Sequence, residues 1–318
     1  MLSYIEAVTP IAVSFPSFQL QIRGDLFPPE PGSPNRKGAA IVVSHPMTGV
    51  KEQTSTTYAK MLSNAGFFAL VFDAGYQGES SGEPRGLEDP HQRVEDIKAA
   101  VSYLTALSGR VDPDRIGLLG ICASGGYASY ATQSDSRIKC LATVSAACVG
   151  RMTRSGGVHE EQAARENPQA IAMALEAAAQ ARIMAAKNPT AKLEAPVMFE
   201  TDPAKAADNP DSFFRDAAAY YGSRRGKHER STQRVPPQSY DLMVSYDSFN
   251  LQHLIAPRPL LMIAGSEAQT LHYSRTAIAI ARGPKEMFVV PGRNHFDLYD
   301  NLLETAPKLM DFFISSLE

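Results

Sequence analysis

Six short apolar runs, set apart by segments of helical period, leave this chain few folds to choose from. Residues 38–44, 67–73, 116–121, 140–145, 259–264 and 286–290 are each strand-length and carry few polar side chains. A strand without a polar face must be covered on both sides, which is the situation of a mostly parallel sheet flanked by helices. The intervening segments supply the helices. Residues 52–64 end before Gly66, a left-handed helix stop, and Val94, Ile97, Val101, Leu104 and Leu107 recur every three or four positions on a helix starting near Asp89. Further helices are expected at about 172–187, 210–221, 274–281 and 298–317, while the alternation in 12–27 predicts an antiparallel edge hairpin.

The strand–helix alternation lapses over 151–247, a stretch rich in Ala, Pro and charge, and then resumes. The expected organisation is a core built from residues 1–150 and 248–318, with 151–247 inserted as a helical lid. The apolar content of 44% suits a packed core, and 31 Lys+Arg against 34 Asp+Glu leave a net charge of −3. Such a balance lacks the basic surface that a nucleic-acid binder or a polybasic membrane-surface protein needs. Cys122, Cys140 and Cys148 are an odd set that makes no disulfide framework, so reduced thiols are expected. Residues 1–9 include Glu6 and lack the charged start and apolar core of a leader, and no apolar run is long enough to span a bilayer. A cytoplasmic protein, with neither nucleic acid nor membrane as partner, is the resulting expectation.

The run at 116–121 leads into Gly120-Ile-Cys-Ala-Ser-Gly-Gly126. A sharp strand-to-helix turn that lifts a nucleophile above a sheet needs small residues two before and two after it. Two registers meet that rule: Cys122 between Gly120 and Ser124, or Ser124 between Cys122 and Gly126. The first puts the turn directly after the apolar run, and the second needs the strand to run two residues further. A small buried cysteine packed between helix and sheet also satisfies the pattern. In the first register, a helix N-terminus and a nearby histidine would shift Cys122 toward thiolate, the form that acyl transfer uses. Cys140 and Cys148 lack that setting and read as structural.

The base belongs after the last strand, at the same edge of the sheet, and His295 in Pro291-Gly-Arg-Asn-His295 occupies that place. Ser44-His-Pro-Met-Thr-Gly49, after the first central strand, lies where a second oxyanion donor is supplied, so the N–H groups of Met47 and Ala123 are the expected pair. A tight structural turn at His45-Pro46 is the alternative reading of that loop. A residue accepting the imidazole Nδ1–H should follow the strand at 259–264. Glu267 is the carboxylate there, and Gln269 is the alternative. A neutral amide suits a cysteine nucleophile better than a serine, because less charge then has to be created on the base. No pattern calls for a cofactor or a metal ion.

The strand–elbow–helix, the His45-Pro46 loop, Asp73-Ala-Gly-Tyr-Gln-Gly-Glu-Ser80 and Gly292-Arg-Asn-His295 together resemble the α/β-hydrolase superfamily, over about residues 20–150 and 255–318. The cysteine in Gly120-Ile-Cys-Ala-Ser124 is similar to the dienelactone hydrolase branch. The run His45-Pro-Met-Thr-Gly-Val-Lys-Glu52, with Gly86-Leu-Glu-Asp-Pro90 and the elbow, resembles the fungal polyketide transferase family and its bacterial relatives. The resemblance implies an α/β-hydrolase fold and an acyl-transfer enzyme, thioesterase, esterase or acyltransferase. Its substrate would be an ester or thioester, such as a polyketide acyl group of secondary metabolism. An acyl carrier domain of a polyketide synthase would be a partner, with the basic cluster Arg224-Arg-Gly-Lys-His-Glu-Arg230 as a docking face and a solvated surface as the simpler account of it. Relatives with this pattern carry Asp where this chain has Gln269, so Glu267 substitutes, Gln269 orients His295 as an amide, or the triad is incomplete. That departure also opens a small-molecule binder without covalent chemistry, and a non-covalent cyclase or isomerase with His295 as base.

Overall fold

A single sheet carries the architecture. Its strands are Ile11–Ser17 (β1), Leu20–Phe27 (β2), Ala40–Ser44 (β3), Phe68–Asp73 (β4), Ile116–Ile121 (β5), Cys140–Val144 (β6), Leu260–Gly265 (β7) and Lys285–Val290 (β8). They lie in the order β1-β2-β4-β3-β5-β6-β7-β8. β1–β2 and β2–β4 pair antiparallel, and every pair from β4–β3 to β7–β8 is parallel. The structure is a computed structural model and describes residues 9–188 and 195–318, so the reading of residues 1–9 as free of a leader falls, up to residue 8, outside the described residues.

β3, β5, β6 and β7 are buried at every position, and alternate residues feed two separate cores. Ala40, Val42, Leu118, Leu141 and Met262 face one core, and Ile41, Val43, Leu119, Val144 and Ile263 face the other. Helices Thr54–Asn64 (α1), Pro90–Thr105 (α2) and Ala123–Ser134 (α3) follow β3, β4 and β5. α2 and α3 cover the first core, and α1 covers the second. α2 starts where Asp89 accepts from the His91 and Gln92 N–H groups and Pro90 needs no partner for its nitrogen.

The chain between β6 and β7 contributes the helices Val149–Ser155 (α4), Glu160–Ala163 (α5), Pro168–Lys187 (α6), Pro203–Ala206 (α7), Ser212–Tyr221 (α8) and Gln238–Val244 (α9). The boundary expected at residue 151 therefore lies inside α4. α6 packs on α4 and α9, outside the sheet. α8 instead turns Phe213, Ala217, Tyr220 and Tyr221 inward at i, i+4, i+7 and i+8, and these join the second core.

Leu271–Ile280 (α10) and Thr305–Leu317 (α11) complete the layers. Three details depart from the sequence reading. Only β1 of the hairpin is an edge strand, because β2 pairs with β4. β8 forms the opposite edge with Val290 as its one buried residue, so its apolar run is not covered on both faces. The last helix is broken into a short turn, Asp297–Tyr299, and α11. Pro307 has no N–H to give and fits only in a first turn, which fixes the start of α11 close to it. Among the described residues no helix is long and apolar enough to cross a membrane.

Candidate active site

β5 ends at Ile121, α3 begins at Ala123, and Cys122 between them has φ +58° and ψ −124°. A side chain other than glycine is strained there, and such strain persists only where the surroundings impose it. The surroundings are tight: a Cβ on Gly120 would lie 2.2 Å from the Ser124 carbonyl oxygen, so α3 can fold back onto β5 only over a glycine. The turn residue is thus Cys122, which keeps partial exposure. Ser124 sits inside α3, fully buried, with its Oγ 2.9 Å from Ser44 Oγ and donating to the His45 carbonyl at 2.5 Å. It ties β3 to the elbow. Cys140 and Cys148 are both buried, and Cys148 Sγ accepts the Ser248 N–H at 3.3 Å.

His295 is fully buried beyond β8. Its Nδ1 lies 2.6 Å from Thr270 Oγ1 and its Nε2 3.0 Å from Tyr299 Oη. Ser145 Oγ donates to its carbonyl at 2.9 Å, and the Phe213 and Phe296 rings pack on the imidazole. Neither expected orienting residue is placed at Nδ1. Glu267 is exposed, its N–H donating to the Arg293 carbonyl at 3.0 Å, and Gln269 Nε2 donates to Ser212 Oγ on α8 at 2.7 Å. The turn after β7 is short and wound, with Ala268 N–H on Gly265 O and Leu271 N–H on Ala268 O, so the inward side chain at the start of α10 is Thr270. Thr270 brings no charge, and burial pushes the His295 pKa down to about 3. The imidazole is neutral at physiological pH. In the tautomer whose Nδ1–H donates to Thr270, Nε2 is left as the acceptor.

Tyr299 Oη is hydrogen-bonded to His295, and Tyr299 lines the pocket together with Cys122 and Tyr221. The phenol that bonds His295 thus borders the pocket that holds Cys122. The Cys122 thiol is pushed up to about 11, first by burial, while Tyr299 and the Ala123 N–H pull weakly the other way. This corrects the expectation of a thiolate: desolvation in an apolar pocket outweighs the helix terminus, and the neutral histidine supplies no cation. The pocket over Sγ is lined by Met47, Met152, Met198, Phe199, Phe213 and neighbouring apolar groups, with no charged side chain among them.

Met47 and Ala123 both border this pocket. The Ala123 N–H points to Cys122 Sγ, and the Met47 N–H has no acceptor among the described residues. Their loop is held from below. His45 Nε2 accepts the Ala74 N–H and an Arg93 N–H, both at 3.0 Å, its Nδ1 donates to Pro46 O at 2.8 Å, and Arg93 donates to the His45 carbonyl at 2.9 Å. Burial and the Arg93 charge keep His45 neutral. Arg93 pairs with buried Glu88 at 3.1 Å, which accepts from Tyr127 Oη at 2.7 Å. From above, Ser231 Oγ donates to Thr48 O at 2.8 Å and Thr48 Oγ1 to Gln233 Oε1 at 2.5 Å. Thr48, β-branched yet at φ +62°, is strained where the two clamps meet.

The profile of the alpha/beta hydrolase family matches residues 53–307. The chain belongs to this family. It is 37% identical over 295 residues to the uncharacterized protein YcjY of Escherichia coli, covering 92% of each chain. The crystal structure of the hypothetical protein PA2218 from Pseudomonas aeruginosa superposes with a TM-score of 0.85 at 31% identity, over 99% of this chain and 95% of that one. A shorter stretch of 125 residues is 34% identical to the polyketide transferase claH of Penicillium crustosum, 39% of this chain and 40% of that one.

In this α/β-hydrolase two arginines of the basic cluster at 224–230 are paired within the chain. Arg225 grips Asp300 with two hydrogen bonds of 2.9 and 2.7 Å, and Arg230 pairs with Glu52 and Glu79. Glu52, Asp73 and Glu79 stand close enough to ligate a metal, but Lys51 Nζ sits among them at 2.7, 3.4 and 2.5 Å and takes the place of a cation. Sequence reasoning missed Thr270, Tyr299, Tyr221, Arg93 and Gln233. Tyr299 lies one helical turn past His295, a spacing that could have found it. Gln233 had no local signal, since it reaches Thr48 from 185 residues away.

Proposed function

We propose that this hydrolase-family protein transfers acyl groups from esters or thioesters through an acyl-cysteine. The reading rests on Cys122 at a strained elbow, with the Ala123 and Met47 N–H groups and an apolar pocket on the same side. Cys122 Sγ attacks the carbonyl carbon, its proton passes to His295 Nε2, and the carbonyl electron pair settles on oxygen facing the two N–H groups. The intermediate collapses, the leaving alcohol or thiol takes a proton from the imidazolium, and water or an acceptor alcohol, deprotonated by His295, releases the acyl group. A pocket without charged side chains favours a neutral, apolar acyl chain, and the partial likeness to a fungal polyketide transferase supports a polyketide-type acyl group. With Arg225 and Arg230 bound to their own carboxylates, a small-molecule thioester suits the site better than a carrier domain docked on that cluster. The helices of 151–247 act as the lid, through α8 and the 231–235 clamp. Three unpaired cysteines fit a reducing, cytoplasmic setting.

Turnover on a panel of activated esters and acyl thioesters tests this. Cys122→Ala should abolish it, whereas Ser124→Ala should keep a measurable rate. Full turnover in Cys122→Ala overturns the assignment. A protonated thiol and a histidine without a carboxylate also favour a second reading, a binder of apolar small molecules; it predicts saturable binding with no turnover on any member of the panel.

A further inference from the structure

Building on the reading of Cys122 as nucleophile, we propose that Tyr299 is a catalytic proton relay between Cys122 and His295. Among the described residues no hydrogen bond joins the thiol to the imidazole; the Tyr299 hydroxyl lies 3.0 Å from His295 Nε2, and Tyr299 lines the same pocket as Cys122. A phenol offers one donor and two acceptor sites. Tyr299 Oη lies 3.0 Å from His295 Nε2, and Cys122 and Tyr221 line the same pocket, so the phenol can donate to the imidazole while an oxygen lone pair stays open to the thiol proton.

The ring is also fixed as a relay requires. Thr54 Oγ1 donates to the Tyr299 carbonyl at 2.8 Å and Tyr58 Oη to the Leu298 carbonyl at 2.6 Å. Tyr220 and Phe296 pack edge-on against the ring, with centroids 4.9 and 5.2 Å away. Burial holds Tyr299 well above the usual phenol range, so it stays protonated and passes a proton on rather than storing charge. During attack the Sγ–C bond forms, the thiol proton moves to Oη, the Oη proton moves to Nε2, and the C=O π pair moves to oxygen. On collapse the bond to the leaving group breaks, and that group takes a proton back from Nε2–H through Oη. No charge is left on Tyr299 at either stage.

The test is single-turnover acylation by an activated thioester in H2O–D2O mixtures, for wild type, Tyr299→Phe, Cys122→Ala and His295→Ala. Wild type should show a curved proton inventory with two protons in flight. Tyr299→Phe should acylate at least about 100-fold more slowly, the low end of general acid–base contributions, with its binding constant within about threefold of wild type and a one-proton inventory. An acylation rate within about threefold of wild type, or a linear one-proton inventory in the wild-type enzyme itself, overturns the relay. The wild-type inventory needs no variant, so it decides even if Tyr299→Phe does not fold. Loss of acylation in Cys122→Ala with an unaffected Tyr299→Phe rejects the relay alone. Acylation that survives Cys122→Ala rejects the nucleophile on which it rests.

Discussion

Cys122 has the helix terminus that ordinarily acidifies a thiol, yet it is protonated at neutral pH because the apolar pocket penalises the anion more than α3 favours it. Its alkylation rate by iodoacetamide should therefore climb about tenfold per pH unit from pH 7 toward the thiol's pKa of about 11. A rate that levels off near neutrality would show a preformed thiolate instead. Thr270 accepts the Nδ1–H in the tautomer that gives Nε2 its lone pair, so Thr270→Val should lower acylation by about 10- to 100-fold, the range seen when orienting partners are lost. The same variant should melt close to wild type. These assignments depended on which side chain of a short turn points inward. Residues 265–270 offer Glu267 and Gln269 as the polar acceptors, yet Thr270 beside them is the one turned inward, because composition does not say how tightly a turn is wound.

At the level of elements, the strands and their flanking helices were legible because burial on two faces and burial on one leave different periods in the sequence. β8 misled, since an apolar run reads alike at an edge and in the centre. The elbow was narrowed to two residues by its small neighbours, and only the backbone at Cys122 decides between them. α8 connects the inserted helices to the chemistry, with Phe213 buried against both His295 and Phe296. Phe213→Ala should cost about 3–5 kcal/mol in urea unfolding, as large-to-small core changes do, and should widen the range of acyl chains accepted. A loss below 1 kcal/mol with an unchanged chain-length preference would remove α8 from the pocket wall.

For the whole molecule, the family and the mostly parallel sheet followed from local patterns, whereas the clamp on the loop at 45–49 joins residues far apart in sequence and stayed hidden. Acid stability reports on the buried histidines. In the unfolded chain histidine takes a proton near pH 6.5, but His295 resists it down to about 3 and burial likewise holds His45 low. The unfolded state then binds more protons across that window. Stability should fall as pH drops below about 6.5, with His295 alone giving a slope of about 1.4 kcal/mol per pH unit. Buried Asp73, Glu88 and Asp96, raised by burial, work against this slope, so the comparison is with His295→Asn: a slope between pH 6 and 4 equal to that of wild type would contradict the neutral, buried His295.

The central claim is that acyl transfer passes through Cys122, and the most direct measurement is peptide mapping by mass spectrometry of enzyme quenched during turnover of an acyl thioester. The acyl mass should appear on the peptide containing Cys122 and vanish in Cys122→Ala. An acyl group mapped to Ser124, or turnover without any acylated peptide, would contradict it.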